Sequence, residues 1–155
     1  MKSLNYSEGI FKSKWFSKFI NKISLCGKKS NIEKIIYYTL YLFKKKKRYY
    51  PLFFFFEVLE KIKPALGLKI SKYKQVSKKN NVIITPYILN VSLQYKKSIF
   101  WLTKSIKLRK ENQLFLKIYF EFSAIIFNKI NNSIIKKKNY YKYIILFKTI
   151  KNFKW

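Results

Sequence analysis

The sequence has no histidine, no aspartate, one cysteine, three glycines, three prolines and two arginines among 155 residues. Each shortage excludes something. Without imidazole or aspartate there is no histidine base, no Asp–His pair and no ordinary zinc site. Cys26, being alone, forms neither an intrachain disulfide nor a thiolate cluster. The scarcity of glycine and proline, set against 49% hydrophobic and 20% aromatic residues, excludes a linker-like disordered chain. Apolar runs are short: residues 52–56 and 144–147 fall far below the about 20 residues of a spanning helix, so they read as core or interface and no membrane span is expected. The opening MKSLNYSEGIFKSK lacks an apolar core and a small-residue cleavage site, and no secretory leader is expected. This inventory leaves no catalytic residue, no metal ligand set and no cofactor to expect.

The surplus is charge. Thirty-five Lys and Arg face six acids, all glutamate, for a formal net charge of +29. Only Arg48 and Arg109 are arginine. So cationic a chain repels itself and calls for a polyanion, nucleic acid first and a membrane surface second. Lys, Asn, Ile, Tyr and Phe, the residues of A/T-rich codons, crowd the sequence. That bias is strongest in organellar genomes, so a mitochondrial location is expected, with a plastid as the alternative.

Hydrophobic spacing predicts a mainly α fold, a bundle of about six helices with one extended β-hairpin between the third and fourth. Residues 1–13 read as an N-terminal arm, and residues 14–155 as a single domain carrying a hairpin at 68–85. Trp15, Phe16, Phe19, Ile20 and Ile23 fall at helical spacing, and Gly27 stops that helix. Ser30 with Glu33 three residues on is the capping-box pattern. Ile32, Ile36, Thr39, Leu40 and Phe43 then form one stripe, ending in five consecutive cations at residues 44–48. Pro51 suits the first turn of a third helix and Pro64 stops it. Alternation from Leu68 and the β-branched run Val82-Ile83-Ile84-Thr85 predict the hairpin. Helices follow at residues 92–108 and 112–128, then a loop at Asn131-Asn132-Ser133, a basic run Lys136-Lys137-Lys138 and a last helix from Tyr140.

Gly27-Lys28-Lys29-Ser30 is no nucleotide loop, because position 22 is Lys22 where the motif requires glycine. It reads as a helix–helix turn whose lysines and helix-start amides suit a phosphate. Glu57 and Glu60 lie one helical turn apart beside Lys61 and Lys63, which points to ion pairing rather than acid–base work. Tyrosine pairs and Trp15, Trp101 and Trp155 alternate with lysines. Bases stack on such rings while lysines hold phosphates.

These features come in an order that resembles the family of small-subunit ribosomal protein seven, of bacterial and organellar type. FINKISLCGKKSNIEKIIYYTL resembles its first signature block and FFEVLEKIKPALGLK its next. Pro86 and Trp101 are similar to the family's proline after the hairpin and tryptophan of the fourth helix. Glu121 is similar to the glutamate of the fifth helix, Lys136–Lys138 to its basic run and NFKW to its ending. The hairpin lacks the family's paired glycines, with Asn80-Asn81 in their place. Leu93 and Gln94 stand where the family has a basic pair, with Lys96 and Lys97 one turn later.

The resemblance implies a non-enzymatic component of the small ribosomal subunit that binds the 3′ major (head) domain of its rRNA and helps the head assemble. It also implies neighbouring head proteins, and a hairpin near exit-site tRNA and outgoing mRNA. The residues expected against rRNA are Lys28, Lys29, Ser30, Lys69, Lys72, Lys74, Lys96, Lys97, Lys136, Lys137 and Lys138. Those expected near tRNA and mRNA are Lys78, Lys79, Asn80, Lys154 and Trp155. The alternatives that share the charge signal are an architectural DNA-binding protein of an organellar nucleoid and a cationic membrane-surface protein.

Overall fold

A computed structural model describes residues 13–24, 27–47, 50–73 and 81–151. The arm ahead of residue 13, Cys26, Lys74, Lys78, Lys79, Asn80, Lys154 and Trp155 lie outside the described residues. Among those described, the order is α1 (Lys14–Ile23), α2 (Lys29–Lys47), α3 (Pro51–Ile62), β1 (Leu66–Tyr73), β2 (Asn81–Ile88), α4 (Val91–Leu108), α5 (Leu114–Ile126) and α6 (Asn132–Lys151). This is the expected helical bundle with a hairpin between the third and fourth helices.

The apolar stripes become one core. Phe16, Phe19, Ile20 and Ile23 of α1 are buried. So are Ile32, Ile36, Thr39, Leu40 and Phe43 of α2, with the Thr39 hydroxyl satisfied by donating to the Ile35 carbonyl at 2.8 Å. Phe54, Phe55, Val58, Leu59 and Ile62 of α3 meet Ile99, Leu102 and Ile106 of α4 and Ile118, Phe122 and Ile125 of α5. The centre is aromatic: Phe55 lies edge-on to Phe16 at 5.2 Å and 5.2 Å from Phe19. Phe43 stacks against both Phe54 (4.3 Å) and Tyr119 (4.8 Å). Offset and edge contacts of this kind stabilise beyond the area they bury.

Local chemistry fixes the element ends. Gly27 has φ +76°, a conformation costly for a side chain bearing Cβ, and it turns the chain from α1 into α2. α2 starts at Lys29, so Ser30 lies within the first turn rather than at the cap. Pro51 opens α3 where its missing N–H is no loss. The Asn90 side chain caps α4 by accepting from Ser92 N–H. Asn131 does the same for α6, accepting from Ile134 N–H at 2.8 Å. The loop expected at residues 131–133 is therefore the cap and first turn of α6, and Lys136–Lys138 are helical.

The hairpin is longer than its sequence pattern suggests. Its register runs from Leu66 opposite Ile88 to Tyr73 opposite Asn81 and takes Pro86 into β2, opposite Leu68. A two-stranded ribbon leaves each strand an open edge, where a proline can stand without losing a ladder bond. At the base, Leu89 N–H donates to the Ala65 carbonyl (2.9 Å) and Ala65 N–H donates to Tyr141 Oη of α6 (2.8 Å). Gly67 is required there, since a Cβ would stand 2.8 Å from Leu89 Cδ2 and 2.9 Å from Tyr87 Cε1.

One ionic network ties the C-terminal helices together. Glu121 of α5 is 1% exposed. It accepts from Arg109 Nη1 at 2.8 Å and from Ser133 Oγ of α6 at 2.6 Å. Arg109 also forks onto Glu111, donating from Nε at 3.0 Å and from Nη2 at 2.9 Å. Glu121→Ala would leave Ser133 without its acceptor and Arg109 with Glu111 alone, and a loss of about 1–3 kcal/mol is expected, as for leaving a buried polar group unsatisfied. Lys107→Gln, on an exposed position, should shift stability by less than about 0.5 kcal/mol. Urea unfolding midpoints of the two variants check this, and equal midpoints would show the network to be dispensable.

Candidate nucleic-acid interface

The expected phosphate seats fall into distinct environments. Lys28, Lys29 and Ser30 are exposed at the α1–α2 turn. Lys29 lies 3.8 Å from Glu33, an exposed i,i+4 pair of little energetic weight. Lys69 is exposed on β1, and Lys72 takes its place in the same strand opposite Val82. Lys96 is exposed on α4, and Lys138 on α6.

Three of the expected lysines donate hydrogen bonds within the protein. Lys97 Nζ donates to Tyr140 Oη at 2.5 Å and lies 4.3 Å from the centre of that ring. Tyr140 in turn meets Trp101 edge-on at 5.4 Å. Lys136 Nζ donates to Ser105 Oγ (3.2 Å), and Lys137 Nζ to the Lys61 carbonyl (2.8 Å). These amines clamp α6 to α4 and α3 through their tips while their stems cover apolar surface. Lys61, expected as an ion-pair partner of Glu57 and Glu60, does likewise: its amine donates to the Ile126 carbonyl (2.7 Å) and to Asn128 Oδ1 (3.3 Å), closing the end of α5.

Electrostatics show the strain of so many cations. Partial burial and the nearby Lys104 hold the Lys136 amine below the ordinary lysine range, against the pull of Glu121. Burial and Lys63 do the same to Lys137, against Glu60. Burial alone would raise the Glu60 carboxyl, but hydrogen bonds from Lys63 and Tyr95 and the charges of Lys63 and Lys137 hold it below the usual carboxylate range. Tyr95, donating to Glu60, is pushed up to about 12 by that bond and by burial. Of the two glutamates expected to form ion pairs, Glu60 does so with Lys63. Glu57 forms none among the described residues; its Oε2 is buried without a hydrogen-bond partner.

Among the described residues no group of His, Cys, Asp and Glu could hold a metal ion, and no helix is long and apolar enough to cross a membrane. What the geometry offers is a rigid aromatic core bearing exposed lysines on a turn, a projecting hairpin and two helices. The sequence pattern of the ribosomal protein S7p/S5e family matches residues 2–143.

The chain belongs to the ribosomal protein S7p/S5e family.

It is similar to the small ribosomal subunit protein uS7 of Sulfurimonas denitrificans, 28% identical over 146 residues, spanning 94% of this chain and 90% of that one. The uS7 proteins of Mycoplasma capricolum (28% over 149 residues, 96% and 92%) and Nitratiruptor sp. (29% over 147 residues, 94% and 90%) are similar to it to the same degree. Membership makes the chain a ribosomal protein of the S7p/S5e kind and not an enzyme. The Arg109–Glu121 network was not legible beforehand. The signal available was that Arg109 is one of only two arginines, with Glu111 two residues on and Glu121 twelve.

The pH dependence of the fold follows from the paired carboxylates. Glu60 and Glu111, the latter held down chiefly by hydrogen bonds from Arg109, both titrate below their ordinary value of 4.5 when folded. The unfolded chain therefore binds their protons first. Their contribution is complete above about pH 4.5 and is lost as pH falls through the depressed folded values. Thermal unfolding between pH 7 and pH 3 should show Tm falling below about pH 4.5. The Glu60→Gln/Glu111→Gln double variant should give a flatter profile from a lower start, and parallel profiles would refute the assignment.

Proposed function

We propose that the chain is a structural component of the small ribosomal subunit that binds the 3′ major (head) domain of the small-subunit rRNA and contributes to assembly of the head. Its hairpin and C-terminal end lie near exit-site tRNA and outgoing mRNA, beside other head proteins. The carrying observation is a family match across nearly the whole chain joined to +29 of charge, with the lysines at Lys28, Lys29, Lys69, Lys96 and Lys138 left exposed. The relatives' names place those proteins in the small subunit, and the charge supplies the reason this chain would join one. Lysines that neutralise phosphates release condensed counterions, and shape and backbone, rather than base edges, are read in structured RNA. The site of action we propose is an organellar ribosome, mitochondrial in the first instance and plastid as the alternative. Lysine in place of arginine and the residues of A/T-rich codons support it.

Binding to a transcript of the 3′ major domain, measured across a salt series, tests the reading. With about 6–10 phosphate contacts, affinity should fall by about 10³–10⁵ between 50 and 200 mM salt. Lys28→Gln/Lys29→Gln should lower the slope of log K against log salt by roughly two, and Lys74→Gln/Lys78→Gln/Lys79→Gln by about as much again, with helix content unchanged. Preference for duplex DNA of equal length would favour the nucleoid alternative, and a particle map with Lys28, Lys29 and the hairpin remote from rRNA would end the proposal.

A further inference from the structure

α1 and α4 pack side by side and bring together residues that sequence reasoning did not join. Lys14, Lys18 and Lys22 recur every fourth residue along α1, with Lys14 and Lys22 exposed. Four residues of helix rise about 6 Å, so the row climbs in steps comparable to successive phosphates of an extended strand. Lys96 stands on the neighbouring α4, near enough for its charge to act on Lys18. Partial burial and the repulsion of Lys14 and Lys96 hold the Lys18 amine below the lysine range. Among the described residues no carboxylate pairs with any of these four lysines.

Between the two helices lies an aromatic platform. Trp15 is half-buried, packed on the core from one side and against Tyr95 at 5.2 Å with a 31° tilt. Tyr95 is itself fixed, donating to Glu60 at 2.5 Å and meeting Phe56 edge-on at 6.2 Å. Lys18 Nζ rests 4.8 Å from the centre of the indole. Glu60, the acid that Tyr95 contacts, is already matched by Lys63. An indole backed by packed rings, capped by a crowded amine and flanked by unpaired cations is arranged to take a π-face together with negative charge.

We propose that Trp15 is a stacking seat for one unpaired nucleobase of a single-stranded RNA segment, with Lys14, Lys18 and Lys96 holding the phosphates on either side of it. This deepens the rRNA-binding reading and rests on it. On binding, Lys18 leaves the ring for a phosphate, and the base takes its place over the indole. That exchange replaces a cation–π contact by stacking and gives the crowded ammonium a counter-charge. A duplex does not satisfy the same seat, because its bases are paired and stacked on one another.

The test uses the full chain with Trp101→Phe and Trp155→Phe, so that Trp15 alone reports. It is titrated with single-stranded oligouridylate and with an RNA duplex of equal length. The single strand should quench the indole emission, and the duplex should leave it nearly unchanged. In the otherwise native chain, Trp15→Leu should weaken oligouridylate binding roughly tenfold, within the range of one stacked base, while Trp15→Phe recovers most of the loss. Lys14→Gln/Lys18→Gln/Lys96→Gln should lower the salt slope by roughly two. Equal quenching by both probes, unchanged affinity in Trp15→Leu, or an unaltered slope in the lysine variant overturns the seat. If the native chain binds rRNA but Trp15 is not quenched, the seat alone fails; if it binds no RNA of any kind, the underlying reading fails with it.

Discussion

Uncompensated positive charge is the constraint to which the rest of this structure answers. Thirty-five cations and six acids cannot be paired off. Four of the described acids are accordingly committed to cations of the chain itself. Glu121 and Glu111 hold Arg109, Glu60 holds Lys63 and receives Tyr95, and Glu33 accompanies Lys29. Few carboxylates remain to shield the outer lysines, so the surface field is nearly all of one sign. A folded polyanion would remove that repulsion, and by as much as it binds the folded form more tightly than the unfolded one it would stabilise by mass action. Stability and partner are thus one problem for this chain.

The two kinds of cation divide the labour. Arg109 takes the buried, directional role. Its planar guanidinium engages two carboxylates with bonds of 2.8–3.2 Å, a geometry a point charge does not reproduce. Lysine takes the rest in two modes. Lys61, Lys97, Lys136 and Lys137 fold their amines back onto carbonyls and hydroxyls and serve as clamps. Lys28, Lys69, Lys96 and Lys138 face outward. A clamp lysine still contributes its charge to the surface potential. A count of lysines therefore sets the field, while only the geometry separates contact from background.

Most of the fold was legible because helical periodicity is a direct imprint of a single core. The stripes Ile32–Ile36–Leu40–Phe43 and Ile118–Phe122–Ile125 are buried as their spacing demands. The misreadings share a cause. Ser30 has a capping side chain and a glutamate three residues on, but the left-handed turn at Gly27 lets α2 begin ahead of it, at Lys29. Pro86 reads as a strand terminator, yet the second edge of a two-stranded ribbon requires no donor, and β2 runs on to Ile88. Lys136–Lys138 read as a basic run ahead of a helix from Tyr140, yet the Asn131 cap starts α6 upstream of them, and Lys136 and Lys137 bond Ser105 and the Lys61 carbonyl from within it. In each case a pairing or turn beyond the local pattern decided between options of similar energy, and the pattern holds no record of it. The candidate interface divides in the same way: Lys28 and Lys96 could be named one by one and are exposed, but the nearness of α1 to α4 could not be read from the sequence.

The depressed lysines connect these themes. Lys18, Lys136 and Lys137 sit below the ordinary lysine range because burial and like-charged neighbours disfavour their ammonium forms. A phosphate brought near such a group supplies the missing counter-charge and restores its proton affinity. The lysines most crowded in the isolated fold are therefore those with most to gain from a polyanionic partner.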